Sequence, residues 1–163
     1  MLADVLHFGL TVSDLDRSVA WYTDVLGLEV VHRQRQEPGY TRTLVGIPDA
    51  DINVAMLKIP GLDSRYSTHM LELVHYVAPV GQKIDMSTNN VGNAHLGLLV
   101  DDIHERYERM SAAGVVFRNP PVEITEGTNA GGFACYLRDP DGITIELLQP
   151  SLQRRRELGM TAA

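Results

Sequence analysis

Two segments of this chain repeat one residue pattern, and this repeat is the strongest constraint on the fold. Residues 7–15 (HFGLTVSDL) and residues 95–103 (HLGLLVDDI) both read His, apolar, Gly, Leu, any residue, Val, any residue, Asp, apolar. His7 and His95 are therefore 88 residues apart (95 − 7) in a chain of 163 residues. This spacing leaves room for two copies of one module, each too small to bury its own helix and sheet alone.

Each repeat predicts a β-strand that leads into an α-helix. The strand residues are apolar and β-branched, and Ser13–Asp14 and Asp101–Asp102 supply N-cap side chains for the helices. Gly27 and Gly114 follow the helical spacing, at positions where a left-handed backbone ends a helix. The predicted strand and helix are residues 5–12 and 14–26 in the first copy, and residues 94–100 and 101–113 in the second.

Further strands follow each helix, so both copies predict the order strand–helix–strand–strand–strand (βαβββ), with one additional strand in the first copy. These strands are residues 28–32, 41–45, 52–59 and 69–77 in the first copy, and residues 115–117, 133–138 and 143–148 in the second. The predicted fold class is α+β, with paired βαβββ modules that pack together. The predicted organisation is a first module at residues 1–78, a linker at 79–93, a second module at 94–149 and a C-terminal tail at 150–163 that forms a short helix or stays disordered.

Composition limits which binding partners and which cellular compartment we expect for this protein. The formal net charge is −7, so the chain has no basic field to attract the phosphates of a nucleic acid. No apolar run approaches the roughly 20 residues that a membrane-spanning helix needs. Cys135 is the only cysteine, which excludes an intrachain disulfide and favours a cytoplasmic protein. A small-molecule substrate fits this composition.

Two histidines and two glutamates stand at equivalent places in the repeat and are the main functional clue. His7 and His95 open the two modules, and Glu72 and Glu146 lie in the strands that close them. A lone strand histidine is usually a satisfied core or surface residue, and a strand glutamate usually faces water. That explanation would have to apply four times at matched positions. A shared divalent cation accounts for all four at once, because burying an unpaired carboxylate is costly.

Imidazole and carboxylate ligands suit one divalent ion per site, such as Zn, Ni, Co, Mn or Fe(II). Four protein ligands would leave open positions for water or substrate on an octahedral ion. The sequence therefore predicts a metal site formed by His7, Glu72, His95 and Glu146.

Several motifs together resemble the vicinal oxygen chelate superfamily, also called the glyoxalase/bleomycin-resistance/dioxygenase family. They are the His-x-Gly-Leu-x-Val opening, a helix ending in Leu26-Gly27-Leu28, the second copy of both, and the segment RDPDGITIEL at residues 138–147. The likeness covers the chain to about Gln149. It implies a cup-shaped mixed sheet around a metal held by His7, Glu72, His95 and Glu146. The cup can close within one chain or across a homodimer, and the sequence leaves both open.

The ligand set is similar to that of glyoxalase I, which implies a lyase or isomerase that transfers a proton. In such an enzyme the metal stabilises an oxyanion while a glutamate ligand moves off to act as base, so Glu146 and Glu72 are the candidate catalytic residues. Glyoxalase I has an arginine where this chain has Thr11 and an asparagine where it has Tyr76. Those residues hold glutathione, so we expect Thr11 and Tyr76 to bind a less charged substrate.

Other activities of the superfamily stay open at this point. Epimerases of the methylmalonyl-CoA type use the same proton-transfer chemistry. An extradiol-type dioxygenase would use Fe(II) with two histidines and one carboxylate, and the fourth ligand Glu72 counts against it. A non-catalytic protein that sequesters an antibiotic or another small molecule is the remaining alternative, although the intact set of four ligands argues against it.

Overall fold

The structure of this protein is a computed structural model that describes residues 5–61 and 69–160. Parts of the predicted first module (residues 1–4 and 62–68) and the end of the predicted tail (161–163) lie outside the described residues. The chain divides into two compact units, Met1–Ile84 and Asp85–Ala163. Each unit contains one four-stranded sheet.

Unit 1 is a four-stranded sheet with two helices. Its elements are β1 (His7–Thr11), α1 (Leu15–Asp24), β2 (Glu29–Arg35), α2 (Pro38–Val45), β3 (Asp51–Lys58) and β4 (Met70–Ala78). The strand order is β1-β4-β3-β2. Strand β1 runs parallel to β4, and the other two pairings are antiparallel, so the sheet is mixed.

Unit 2 repeats this topology. Its elements are β5 (His95–Leu99), α3 (Ile103–Ala112), β6 (Val122–Glu123), β7 (Phe133–Arg138), β8 (Thr144–Gln149) and α4 (Leu152–Glu157). The strand order is β5-β8-β7-β6, and β5 runs parallel to β8. The α+β fold with two βαβββ modules is therefore confirmed.

The first helix of each unit begins and ends where the sequence predicts. Asp14 caps α1 by accepting a hydrogen bond from the Arg17 backbone N–H at 2.9 Å. Asp102 caps α3 in the same way, through the Glu105 backbone N–H at 2.9 Å. Gly27 follows α1 with a φ of +76°, a conformation that only glycine adopts at no steric cost.

Each sheet has two chemically different faces. Leu71 and Leu73 of β4 are buried on the face against which α1 packs, here called the helix face. Because side chains alternate along a strand, Glu72 lies on the opposite face, here called the pair face. In unit 2, Ile145 and Leu147 of β8 are buried on the helix face, and Glu146 lies on the pair face.

The prediction of a strand at residues 41–45 is wrong, because these residues belong to helix α2. Glu37 accepts hydrogen bonds from the backbone N–H groups of Gly39 and Tyr40, and Pro38 occupies the first helical turn. Gly46 ends the helix with a left-handed backbone. The β-branched residues that predicted a strand are therefore overridden by capping signals at both ends.

The prediction of a strand at residues 115–117 is also wrong, and the structure decides between the two alternatives for the tail. Residues 115–117 do not form a strand, and Phe117 makes only an isolated bridge with Leu137. The short strand β6 lies a few residues later, beyond Pro120 and Pro121, which lack the N–H that a ladder needs. The tail forms helix α4, where Arg155 is buried and donates a hydrogen bond to the Asp101 carbonyl oxygen. None of the described helices is long and apolar enough to cross a membrane.

Candidate active site

The structure pairs His7 with Glu72 on the pair face of unit 1. Strand β1 lies beside β4 in a parallel register that sets Gly9 opposite Glu72. The His7 Nε2 atom lies 3.2 Å from Glu72 Oε2. The histidine side chain is 34% exposed and that of the glutamate 21%, so both remain open to a small molecule.

Unit 2 pairs His95 with Glu146 in the same way. Strands β5 and β8 are parallel, and Gly97 lies opposite Glu146. The His95 Nε2 atom is 3.1 Å from Glu146 Oε2, with side-chain exposures of 46% and 22%. The repeat in the sequence thus produces the same backbone register and the same His–Glu contact twice.

A glycine in each unit leaves space beside the carboxylate. A Cβ atom at Gly9 would lie 3.7 Å from Glu72 Oε2, and a Cβ atom at Gly97 would lie 3.6 Å from Glu146 Oε2. A larger side chain extending from either Cβ would fill the region in front of the carboxylate. Both glycines have ordinary negative or extended backbones, so a left-handed conformation does not explain why glycine stands at these positions. The space that glycine leaves beside the carboxylate does explain it.

Each pair offers one imidazole nitrogen and one carboxylate oxygen, which are ligand types that divalent transition metals accept. Among the described residues, no group of three or more His, Cys, Asp and Glu side chains is placed so that it could hold a metal ion. The structure therefore brings the predicted ligands together two by two, within each unit. The donor chemistry and the open space beside each carboxylate fit a divalent cation.

The neighbours of the two pairs differ in polarity. In unit 1, Met56 lies opposite Glu72 on the adjacent strand. In unit 2, Tyr136 takes the corresponding place opposite Glu146, and its ring lies 5.5 Å from the His95 ring, centroid to centroid. Burial, and then the negative charge of Glu146, raise the pKa of Tyr136 above its ordinary value. Its hydroxyl is therefore a neutral donor at physiological pH.

Arg138 is a second polar residue on the pair face of unit 2. Its Nη1 atom donates to the carbonyl oxygens of Met86 and Gly142 at 2.9 and 2.6 Å, and to Thr144 Oγ1 at 2.6 Å. These bonds fasten residue 86 and the turn between β7 and β8 to the pair face.

The two predicted substrate-binding residues lie on the pair face of unit 1. Thr11 is exposed and lies opposite Val74 in the register of β1 and β4. Tyr76 is partly buried and packs against the apolar cluster of Ala50, Ile52 and Val54, which Val45 and Ile47 also contact. The strand alternation used for the prediction holds for both residues.

Unit 1 also has a cavity of about 440 Å³ that is separate from the His–Glu pair. Its lining includes Asp14, Asp16, Arg33 and His75, and neither His7 nor Glu72 contributes to it. Strand alternation places His75 on the opposite face of β4 from Glu72, which agrees with its position in this cavity.

Sequence reasoning missed Tyr136 as a neighbour of the second pair. Alternation along residues 133–138 places Tyr136 and Arg138 on one face, which the sequence does reveal. The sequence does not reveal that this face is the one with Glu146, because that depends on the register between β7 and β8.

Known proteins resemble this chain along most of its length. A sequence model of the glyoxalase/bleomycin resistance protein/dioxygenase superfamily matches residues 4–147. A 2-epi-5-epi-valiolone epimerase from an Actinomyces species is 31% identical over 148 residues, which cover 88% of this chain and 78% of that protein. A probable lactoylglutathione lyase from Vibrio cholerae is 28% identical over 148 residues, covering 89% of each chain.

The fold also has close counterparts among solved structures. A glyoxalase family protein from Bacillus cereus superposes with a TM-score of 0.76 at 21% identity, covering 93% of this chain and 96% of that one. This similarity concerns the fold, and it extends through both βαβββ modules.

Proposed function

This chain belongs to the glyoxalase/bleomycin resistance protein/dioxygenase superfamily, and on that premise we propose that it is a divalent-metal-dependent lyase or isomerase. The reaction is a proton transfer on a small oxygenated metabolite. One observation carries the proposal: two His–Glu pairs in identical strand registers, with Nε2–Oε2 distances of 3.2 and 3.1 Å. Within the superfamily, the relatives named as lactoylglutathione lyases and as an epimerase support this reaction class.

The proposed ligands are His7, Glu72, His95 and Glu146, with one divalent ion (Zn, Ni, Co, Mn or Fe(II)) per site. When bound, such an ion supplies Lewis-acid stabilisation of negative charge on a substrate oxygen. In each pair the imidazole Nε2 atom lies toward the carboxylate, and we propose these nitrogens and the carboxylate oxygens as the donors. This ligand set rests on the family resemblance and on the two pairs.

Glu72 and Glu146 are the proposed acid–base residues. Their side chains are 21% and 22% exposed, so substrate can reach the carboxylate oxygens. One carboxylate accepts the proton from a carbon beside the substrate carbonyl, and the electron pair of that C–H bond delocalises onto the carbonyl oxygen. The proton then returns to carbon. A general base of this kind contributes about 10²–10⁴-fold to the rate.

The proposed substrate is not glutathione-linked. Thr11 offers a hydroxyl and Tyr76 an aromatic ring that packs in an apolar cluster, and neither carries the charge that a glutathione carboxylate would need. The named substrate of the Actinomyces epimerase, 2-epi-5-epi-valiolone, is therefore the first compound to try.

We also propose a homodimer in the cytoplasm. The single cysteine, Cys135, is buried, and burial followed by the charge of Glu146 raises its pKa to about 11, so the thiol stays protonated and unreactive. A chain whose only thiol is inert needs no oxidising compartment. The family resemblance supports the dimer as one of two arrangements, because two modules complete each site either within one chain or across a homodimer.

The test is hydrogen–deuterium exchange at carbon. Metal-loaded protein in D₂O is given 2-epi-5-epi-valiolone or, separately, the hemithioacetal of methylglyoxal and glutathione, and proton NMR follows the C–H signal beside the carbonyl. We expect exchange in the first compound and little in the second. Glu72→Gln or Glu146→Gln should lower the exchange rate by about 10²–10⁴-fold.

The matched control is Glu123→Gln, which removes an exposed strand carboxylate away from the pairs. It should exchange substrate at the wild-type rate. Full exchange by both Glu72→Gln and Glu146→Gln proteins that still bind metal would contradict the proposed base.

A further inference from the structure

Arg138 uses one side of its guanidinium group for hydrogen bonds within the protein and leaves the other side unused. Its Nη1 atom donates to the carbonyl oxygens of Met86 and Gly142 and to Thr144 Oγ1. Within residues 5–61 and 69–160, its Nε and Nη2 atoms donate to no protein acceptor. We call the Nε–H and Nη2–H groups of Arg138 the open edge. The bonds of Nη1 hold the side chain in place, so the open edge is presented by a group that is already restrained.

Arg35 in unit 1 shows what this edge of an arginine binds. Its Nε and Nη2 atoms donate to Asp51 Oδ1 and Oδ2 at 2.8 and 2.6 Å. Two parallel N–H groups match the two oxygens of a carboxylate, which makes the pair bidentate and charge-assisted. The open edge of Arg138 offers the same two donors to a ligand.

Arg138 lies on the pair face of unit 2, close to the His95–Glu146 pair. It is opposite Thr144 in the β7–β8 register, and Thr144 is opposite His95 in the β5–β8 register. Residues directly opposite each other point to the same face. Adjacent strands are about 4.8 Å apart, and Glu146 follows Thr144 at about 6.6 Å along β8. Because the guanidinium contacts Thr144, one small molecule can reach both Arg138 and Glu146.

The acidic side chains around Arg138 are engaged elsewhere. Glu146 Oε2 lies 3.1 Å from His95 Nε2. The Asp85 carboxylate accepts from the backbone N–H and the hydroxyl of Ser87 at 2.9 and 2.7 Å. These bonds, more than the charge of Arg138, lower the pKa of the Asp85 carboxyl. In the part of the chain that the structure describes, Arg138 is therefore a half-buried cation without an ion-pair partner.

The matched cation of unit 1 differs in both respects. Lys58 lies opposite Glu29 on the adjacent strand and forms an ion pair with it at 3.7 Å. An ammonium is also a point charge that has no pair of parallel N–H groups. The neighbour of Glu72 is the apolar Met56, whereas a guanidinium lies near Glu146. An anionic group of a substrate therefore fits unit 2 better than unit 1.

We propose that the open edge of Arg138 binds a carboxylate of the substrate, and that the preferred substrate is a small keto acid. Its carboxylate accepts from Nε–H and Nη2–H, while a carbon one or two bonds beyond the carboxylate lies at Glu146 and exchanges its proton. This assignment rests on the proposed function and defines its substrate class. An uncharged ketone still reaches the pairs and lacks this contact. The carboxylates of glutathione are many bonds from the reacting carbon of a hemithioacetal, so a carboxylate at Arg138 does not imply a glutathione-linked substrate.

The compounds 4-oxopentanoate and its methyl ester test the proposal as a matched pair. Both have a ketone and the same exchangeable C–H group at C3, and only the first has a negative charge. Proton NMR follows deuterium exchange at C3 with metal-loaded protein in D₂O, and saturation-transfer NMR measures binding without turnover. We expect wild-type protein to bind the acid roughly 10–100-fold more tightly than the ester, and kcat/KM for exchange to follow, because a charge-assisted bidentate contact is lost with the ester.

Arg138→Met removes the open edge and should weaken acid binding by roughly 10–100-fold while leaving ester binding almost unchanged. Arg138→Lys keeps the charge and can still donate to the acceptors of Nη1, so it keeps the fold if the methionine variant does not. It cannot present two parallel N–H groups, and acid binding should still weaken roughly tenfold. Lys58→Met is the matched control, since it removes one positive charge from unit 1, and it should keep the wild-type preference.

A preference for the acid that both Arg138 variants lose and Lys58→Met keeps supports the proposal. No binding of 4-oxopentanoate by metal-loaded wild-type protein, equal binding of acid and ester, or an unchanged preference in the Arg138 variants overturns it. Equal weakening of acid and ester in those variants assigns Arg138 a structural role and also overturns it. The proposed function is judged separately, by exchange of 2-epi-5-epi-valiolone in wild type and in the Glu72→Gln and Glu146→Gln variants.

Discussion

The two units have the same backbone plan and different side chains around it. In both, a parallel strand pair sets a glycine opposite a glutamate, and a histidine two residues earlier contacts that glutamate. The surroundings then diverge: Met56 beside Glu72 in unit 1, and Tyr136 beside Glu146 in unit 2. The register therefore fixes the His–Glu contact, whereas the adjacent strand determines what else a ligand would meet.

Within the described residues, each unit also has a helix without a counterpart in the other. Unit 1 has helix α2, whose end residue Val45 joins the apolar cluster around Val54. Unit 2 has helix α4, anchored by the buried Arg155, which donates to the Asp101 carbonyl oxygen at 2.6 Å. The duplicated part of the fold thus carries the proposed ligands, and the unmatched parts shape the surface next to them.

The largest expected effect concerns how the two units combine into a site. His7→Ala disables unit 1 and Glu146→Ala disables unit 2, so each homogeneous variant should be inactive. If sites form across a homodimer, mixing the two after unfolding and refolding should restore about a quarter of wild-type activity, since one site in each mixed dimer is intact.

Sites formed within one chain predict no recovery on mixing. Light scattering on the same samples provides the control, because mixed dimers must form for the comparison to be valid. Recovery without dimers would contradict the cross-dimer arrangement.

Core truncation at matched positions tests whether the two units are equally dependent on their helix faces. Leu73 and Leu147 each follow a proposed glutamate ligand, and they are 0% and 2% exposed. Leu73→Ala and Leu147→Ala should each lower the free energy of unfolding by about 2–5 kcal/mol, through lost burial and a cavity. Amide hydrogen exchange should become faster than in wild type mainly in the unit that carries the substitution. A loss below about 1 kcal/mol in either variant would contradict the packing described here.

Arg138 and Lys58 form a second matched pair. Arg138 follows Tyr136 by two residues in β7, and Lys58 follows Met56 by two residues in β3. Arg138 makes three hydrogen bonds from one partly buried nitrogen, whereas Lys58 forms an ion pair with Glu29 at 3.7 Å. Arg138→Met should destabilise the protein by about 1–3 kcal/mol, and Lys58→Met by less than about 1 kcal/mol. Chemical denaturation measures the free energy of unfolding of both variants, and equal losses would contradict this difference between the units.

The smallest expected effect is a pH dependence confined to α2. Hydrogen bonds from the backbone N–H groups of Tyr40 and Gly39 lower the pKa of Glu37 below its ordinary value of 4.5. Its stabilisation of α2 is therefore present above pH 4.5 and is lost as the pH falls through the lowered value. The protection of the α2 amides, measured relative to the intrinsic exchange rate at each pH, should fall on acidification in wild-type protein, and Glu37→Gln should remove most of that pH dependence. No change in wild type would contradict the cap.

Sequence patterns predicted the parts of this fold that repeat. The strand–helix unit at residues 7–26 and its copy are recognisable because apolar spacing, an Asp cap and a terminal glycine agree. Helix α2 was mistaken for a strand, because three of its residues are β-branched and its cap depends on a glutamate, a less common capping residue than Ser or Asp.

The four proposed ligands stand out in the sequence, and their neighbours do not. Alternation assigns Glu72 and Glu146 to one face of a strand, but the residues beside them come from other strands. His32 reaches the pair face only because a bulge after Val30 shifts the register of β2 by one residue. Such a shift has no reliable sequence signal, so the face on which His32 lies could be found only in three dimensions.

The central claim is that both His–Glu pairs serve one metal site, and metal content tests it most directly. Purified protein is incubated with Ni, Co, Zn, Mn and Fe(II), dialysed, and analysed for bound metal, beside a His7→Ala/His95→Ala double variant. We predict about one ion per chain in wild type and almost none in a folded double variant. No bound metal in wild type, or the same content in both proteins, would contradict the claim.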